Sequence, residues 1–378
     1  MLTGLKILDL SRVLAGPLSS MLLADLGADV IKVERAGQGD ETRGWGPPFD
    51  ERGESAYFLS VNRNKLSVAV DLDRPDDIDL LRRLISEADV VIDNFRRGAL
   101  ERRGIDPEAL VVAHRRLIWC TITGFGREST RPGYDFVTQA ESGWMAITGE
   151  PGGDPMKVGV ALADVLAGKD TAIAVLGALV ARSGSGVGRR IFTSLAESAV
   201  AALGNVAQNV LVSGKDAARW GNAHPNLVPY QLFRAADRAL VIAVGSDAQW
   251  KQCVGALELA ELADDPRLAT NAGRLEHRVR VVSAIAARVG ERPAAHWQGV
   301  LTDTGVPTGV VRTVLEVLSE TAGASALFGV PSSVGGSVRR PPPRLDEHGA
   351  LVRANGWASF GDPGLPGPGV TSPSLISS

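Results

Sequence analysis

One carboxylate stands apart in this sequence. Asp164 lies in VGVALADVLAG, a run from Val158 to Gly168 otherwise made of small and apolar residues, where an unpaired charge is expensive to bury. Either it caps the helix that follows, or it is a reactive carboxyl presented at a helix N-terminus, a nucleophile in waiting. Other residues suit anions. Glu34-Arg35 ends a strand-like run, where an acid suits a free ribose hydroxyl, an arginine suits a phosphorylated ribose, and a solvated ion pair fits the same spacing. DNFRRGALERRG, from Asp93 to Gly104, supplies Arg96, Arg97, Arg102 and Arg103: a phosphate site, or a solvated basic turn. The loop RVLAGPLSS, from Arg12 to Ser20, lacks GxGxxG, but Ala15-Gly16-Pro17 permits close backbone approach at the start of a helix. A plain strand-to-helix turn fits it equally.

Several chemistries find no support. His114, His224, His277, His296 and His348 form no HxxxH or HExxH, and no metal site is expected. GxSxG is missing, so no serine is marked as a hydrolase nucleophile. GSGVG, from Gly184 to Gly188, follows a long helix instead of a strand and reads as a helix stop with a tight turn. Lys+Arg 40 against Asp+Glu 43 leaves a net charge of -3, with no global basic field to hold a nucleic acid.

The elements that must position Asp164 and the arginines follow from periodicity. Leu5 to Ser11 is strand-like, Pro17 to Leu26 helical, and Ala28 to Glu34 a second buried strand: a β-α-β unit whose crossover forces parallel pairing. Strands at Lys65 to Leu72, Asp89 to Phe95 and Leu117 to Thr123, with a helix around Asp76 to Ala88, extend it to a doubly wound α/β domain. Helices are predicted at Phe136 to Ile147, Ala161 to Arg182 and Glu197 to Val212, with a strand at Arg190 to Leu195. The polar stretch Ser213 to Asn226 reads as a linker. A second unit opens with the strand Ala239 to Gly245 and continues with helices near Ala248 to Leu259, Gly273 to Val289 and Pro293 to Thr304. The tail from Gly361 is Pro/Gly/Ser-rich and is expected to be disordered.

The chain has 378 residues, 44% of them hydrophobic and 22% charged, ordinary for a soluble protein of two or three folding units. Cys120 and Cys253, far apart in apolar segments, suit reduced thiols. The opening lacks the basic and apolar regions of a secretory signal, and Thr171 to Ala181 is about half the roughly 20 residues a membrane span needs. A cytoplasmic location without membrane partners is expected.

Taken together, the motifs resemble family III CoA-transferases, the group that includes formyl-CoA transferase, carnitine CoA-transferase and the α-methylacyl-CoA racemases. The resemblance rests on GLKILDLSRVLAGPLSSMLLADLGADVIKVERAGQGDETRGW, NRNKLSVAVDL, DVVIDNFRRGALERRG, GYDFVTQAESGWMAITGEPGG, VGVALADVLAG, RWGNAHPNLVPYQLF, DDPRLATNAGRLEHR and RRPPPRLDEH, in order from Gly4 to about His348. It implies that Asp164 is the nucleophile, that Arg12, Val13 and Ala15 line a CoA site, and that Arg35 meets the adenosine 3'-phosphate. Leu72, Asn94, Phe95 and Arg102 would complete the adenine and phosphate contacts. Trp45, Tyr134, Gln139 and Trp144 are candidates for the acyl pocket, or ordinary core; Arg43 would hold a second substrate carboxylate or form a surface ion pair. No cofactor beyond the CoA thioester itself is implied.

The resemblance further implies a ring-shaped chain in an interlocked homodimer. A discontinuous Rossmann-like CoA-binding domain would comprise residues 1–212 and 318–360, with a linker at 213–226, a small α+β domain at 227–317 and the tail at 361–378. The implied reaction is CoA transfer from an acyl-CoA to a carboxylic acid through an Asp164 mixed anhydride and an aspartyl-CoA thioester, with helix-start amides supporting the ionised Asp164. A racemase on the same fold pairs its Asp with a His, and that His falls at Tyr134, a poor base with a reference pKa of about 10. Transfer is therefore favoured over racemisation, and retention of Asp164 argues against a non-catalytic acyl-CoA-binding paralogue.

Overall fold

The computed structural model describes residues 1–320 and 329–365. They divide into two compact units: Met1–Met145, Lys157–Lys215 and the described chain beyond 320 form one, Ala146–Met156 and Asp216–Glu320 the other.

The first unit is built on six parallel strands, β1 (Lys6–Asp9), β2 (Asp29–Arg35), β3 (Lys65–Val70), β4 (Val90–Asp93), β5 (Ile118–Thr123) and β6 (Arg190–Ser194). Their order is β3-β2-β1-β4-β5-β6, so the chain winds outward in one direction and then, from β4, in the other. Helices cover both faces, which is why these strands read as nearly continuous apolar runs. Successive side chains alternate between two cores. Ile7, Val30, Ile92 and Ile118 join Leu18 and Met21 of the helix Ala15–Asp25 and Ala167 and Val175 of the helix Leu162–Ser185. Leu8, Ile31, Val91 and Trp119 join Leu81 and Leu84 of the helix Pro75–Glu87 on the other side.

The segment after 329 covers the β3 edge. Asn64 accepts from the Arg339 and Arg340 amides, Asp346 accepts from the Ala69 amide at 2.7 Å, and His348 exchanges hydrogen bonds with the Ser67 backbone. An edge covered in this way offers no template to another strand.

The second unit carries a three-stranded antiparallel sheet, β7 (Tyr230–Arg234), β8 (Ala239–Ala243) and β9 (Thr308–Val310). Phe233, Leu240 and Ile242 pack there with Trp250, Cys253, Ile285, Trp297 and Leu301 from its helices. Residues 216–226, expected as linker, belong to this unit: Arg278 donates to the His224 and Pro225 carbonyls and lies over the Trp220 ring. Val314–Glu320 forms a helix of the same unit.

Three predicted helices are broken by glycine or a half-turn. Phe136 to Ile147 divides at Gly143 (φ 90°), Glu197 to Val212 bends by 70° before Gly204 (φ 53°), and Gly273 to Val289 divides at His277. Left-handed backbone, open to glycine without steric penalty, stops each of the first two. In the tail, Leu365 packs on the second core; residues 366–378, like 321–328, lie outside the described residues. Among the described residues, no single helix is long and apolar enough to cross a membrane.

Candidate active site

A cavity of about 630 Å³ opens at the carboxyl ends of β1, β4 and β5, beside the point where the winding direction reverses. Ligands of open α/β sheets collect at such a crevice. Arg12, Val13 and Ala15 line it from the loop after β1, Asn94, Phe95 and Arg102 from the segment after β4, and Tyr134 and Asp164 from beyond β5. The fold brings these eight predicted residues together.

Small residues set Asp164 in place. Gly168, one turn later on the same helix face, lies so close to the Ala15–Asp25 helix that a Cβ there would stand 2.7 Å from the Ala15 carbonyl oxygen and 3.0 Å from Leu18 Cδ2. Ala167 is buried in the same core as Leu18, and Ala163 is buried as well. The helix Leu162–Ser185 therefore runs hard against the start of the helix Ala15–Asp25, with Asp164 as its third residue.

Asp164 is not the helix cap. The Ala163 amide donates to Asp135 Oδ1 at 2.7 Å, and the Asp164 amide leans on the same atom at 3.4 Å, so Asp135, from the helix Asp135–Glu141, supplies the cap. The expected support from helix-start amides is thus diverted to a different carboxylate. Asp164 is only 9% exposed, and its carboxylate accepts no hydrogen bond among the described residues. Burial, followed by the charge of Asp135, pushes its pKa up to about 7. A carboxyl in this state is poised between acid and nucleophile near neutral pH.

Sequence reasoning missed Asp135 and Tyr57. Tyr57 packs edge-on against Trp45, with ring centroids 5.1 Å apart. Burial, then the charges of Asp164, Asp135 and Asp40, push its phenol up to about 12, so it keeps its proton beside the carboxylates. Asp135 follows Tyr134 directly and Tyr57 lies five residues before Asn62, in or next to the family motifs. Their neighbourhood to Asp164 is a property of the fold.

Five predicted site residues stand outside the cavity wall. Arg43 is consumed by a buried bridge to Glu34 at 2.7 Å and Glu54 at 2.6 Å, over the Phe58 ring; it forms neither a substrate clamp nor a surface pair. The same bridge turns Glu34 inward, away from any ribose. Gln139 is fully buried, donating to Asp135 Oδ2 at 2.7 Å and accepting from the Val158 amide, so it braces Asp135 instead of lining an acyl pocket. Leu72 packs on the second core, and Trp45 is half-exposed against Tyr57. Arg35 is exposed at the end of β2 and makes no ion pair among the described residues. Trp144, the further aromatic candidate, donates from its indole to the Ala199 carbonyl.

The cavity rim is rich in arginine. Arg97, Arg127, Arg131 and Arg190 are paired with Glu128, Glu108 and Glu141, whereas Arg96 and Arg102 are exposed and make no ion pair among the described residues. A polyanionic ligand would find two uncommitted guanidinium groups on the cavity that Asp164 also lines.

Comparison with known proteins agrees with this geometry. The family model described as CoA-transferase family III matches residues 2–348. The chain is 39% identical to a succinate–glutarate CoA-transferase of Agrobacterium fabrum, over 93% of this chain and 95% of that one. It is 36% identical to an acetyl-CoA:oxalate CoA-transferase of Acetobacter aceti, over 93% and 94% respectively. A crystal structure of a CAIB/BAIF family protein from Brucella suis superposes with a TM-score of 0.83 at 41% identity, covering 93% of this chain and 98% of that one. A reversing parallel sheet, a nearly buried Asp164 at its crevice and a match along nearly the whole length lead to one assignment: the chain belongs to CoA-transferase family III.

Proposed function

We propose that this protein moves CoA from an acyl-CoA thioester to a carboxylic acid, with Asp164 as the covalent nucleophile. The observation that carries the reading is the state of Asp164: nearly buried, without a hydrogen-bonded partner among the described residues, and lining a cavity whose rim also carries the unpaired Arg96 and Arg102. The Asp164 carboxylate attacks the thioester carbonyl, forming a mixed anhydride and expelling CoA thiolate. The thiolate then attacks the Asp164 carbonyl carbon, releasing the donor acid and leaving an aspartyl-CoA thioester. An acceptor carboxylate attacks that thioester, and the freed thiolate takes the new acyl group, restoring Asp164. Each intermediate keeps the acyl carbon activated, and a sheltered carboxyl limits its loss to water. No metal or tightly bound cofactor is required, CoA being a substrate.

The relatives named for succinate, glutarate and oxalate point to dicarboxylic acids as substrates. We also read the chain as one half of an interlocked, ring-shaped homodimer of the cytoplasm. Exposed Ile173 and Val180 on the Asp164 helix, and Leu211 and Val212 further on, are apolar surface that a second copy would cover.

The discriminating experiment incubates enzyme with succinyl-CoA and glutarate, and separately with a 2-methylacyl-CoA in deuterated water. Glutaryl-CoA should form with double-displacement kinetics, with little α-deuterium incorporated. Rapid deuterium exchange with inversion and no transfer to any acid would establish the racemase instead, since racemisation needs a second base and Tyr134, on the same cavity as Asp164, stands at the racemase histidine's position.

CoA itself should be read by Arg102 at the cavity rim and by Arg35 at the end of β2. Replacing either with Ala is expected to raise KM for acyl-CoA more than for the acid, by the loss of a charge-assisted contact of roughly 1.5 to 3 kcal/mol. Dephospho-CoA esters should lose less affinity than CoA esters in Arg35→Ala; equal losses would remove Arg35 from the 3'-phosphate.

A further inference from the structure

The loop after β1 is held by buried charges that the chemistry above does not use. Val13 has φ 72°, in the left-handed region that a β-branched residue rarely enters. Such a conformation persists only where its surroundings over-determine it. Here three consecutive residues are gripped. Lys32 Nζ donates to the Ser11 carbonyl at 3.0 Å, Asn94 donates to the Arg12 carbonyl at 2.8 Å and accepts from the Arg12 amide at 3.0 Å, and the Val13 amide points at both carboxylate oxygens of Asp40, 3.3 Å from each.

Asp40 is itself fixed. It accepts from Lys32 Nζ at 3.0 Å, from the Thr42 amide at 3.0 Å and from Thr42 Oγ1 at 2.8 Å, and the side chains of Asp40 and Lys32 are both fully buried. One ammonium therefore ties the carbonyl on one side of Arg12 to the carboxylate that receives the amide on its other side. A buried ion pair is weak evidence for stability, but it fixes geometry well. The backbone it fixes is a wall of the cavity that Asp164 also lines.

We propose that Asp40, seated on Lys32, is a positioning residue for the transfer reaction: it holds Val13 in the left-handed conformation and so sets the wall against which the thioester meets Asp164. This rests on the reading of Asp164 as nucleophile. Because the phosphate contacts proposed for CoA are Arg35 and Arg102, and Val13 adds no charged contact, losing the wall lowers kcat far more than it lowers CoA affinity.

The test combines Lys32→Met with Asp40→Ala, which removes both buried charges at once, and adds Val13→Gly as a second background, since glycine takes positive φ without a Cβ clash. The rate followed is exchange of labelled succinate into succinyl-CoA, with affinity for free CoA measured alongside. In the Val13 background the paired variant should lose at least about tenfold in kcat, with CoA affinity changed by less than about threefold. In the Val13→Gly background the same pair should lose less than about threefold, because no strained residue remains to be held. Should the paired variant lose its near-ultraviolet circular dichroism, Asp40→Asn carries the same comparison between the two backgrounds. Equal kcat losses in both backgrounds, or a loss confined to CoA affinity, would overturn the proposal. Hydroxylamine trapping on the wild type separates the two readings: a label absent from Asp164 counts against the nucleophile, whereas a label on Asp164 with equal losses counts against Asp40.

Discussion

Asp164→Asn should lose CoA transfer by on the order of a thousandfold or more in kcat, while CoA still binds, because the variant removes the group that becomes acylated and leaves the arginine rim untouched. Hydroxylamine added to wild type and acyl-CoA should leave a hydroxamate on Asp164, and none should form in the variant. A variant that retains full activity, or a label on another residue, sinks the mechanism. The pH profile extends the test. Only the ionised carboxylate attacks, and burial and Asp135 hold its pKa at about 7, so kcat/KM should rise through neutrality instead of being flat above pH 5. Asp135→Asn keeps an oxygen for the Ala163 amide but removes the charge, with loss of the hydrogen bond from Gln139. Its acid limb should move to lower pH.

Much of this site was legible because its signals are local. A parallel strand covered on both faces must be apolar nearly throughout, so β1 to β6 stand out as runs, and the crevice follows from where they end. Asp164 was visible because a carboxylate among Val, Ala, Leu and Gly has no local partner. What was not legible depends on which distant residues meet. Asp135 caps the Asp164 helix from 28 residues earlier in the chain, and no helix-start pattern around Ala161 announces it. Glu34 and Arg35 illustrate the limit on a finer scale. Adjacent strand residues face opposite ways, and only the position of Arg43 and Glu54 decides that Glu34 turns into a buried bridge while Arg35 stays exposed. The helix ends at Gly143 and Gly204 were within reach of composition, but a single glycine in an apolar helical pattern is tolerated as often as it terminates.

The same substitution that removes activity should strengthen the fold. A carboxyl whose folded pKa lies near 7 against about 3.8 in the unfolded chain keeps its proton over a range in which the unfolded state has already released it. The stability contributed by protonated Asp164 is therefore fully present below pH 4, falls as pH rises through 4 to 7, and is gone above the folded pKa. Asparagine resembles the protonated acid in shape and does not titrate. Asp164→Asn should then match the wild type near pH 4 and exceed it at pH 8 by roughly 3 to 5 kcal/mol, since each tenfold change in proton affinity between the folded and unfolded chain is worth about 1.4 kcal/mol. The other titrating groups are common to both chains, and Tyr57, whose phenol the Asp164 charge helps to push up to about 12, keeps its proton throughout this range in either chain. Denaturation midpoints at pH 4.5, 6 and 8, compared at one protein concentration because an oligomer gains stability by mass action, would read the gap directly. A gap that is absent at pH 8, or equally large at pH 4.5, would mean that Asp164 is not held above its ordinary range. A gap that opens across this window would identify the ionised nucleophile as a charge that the fold carries against its own stability, a burden with no structural return and intelligible only through the chemistry it permits.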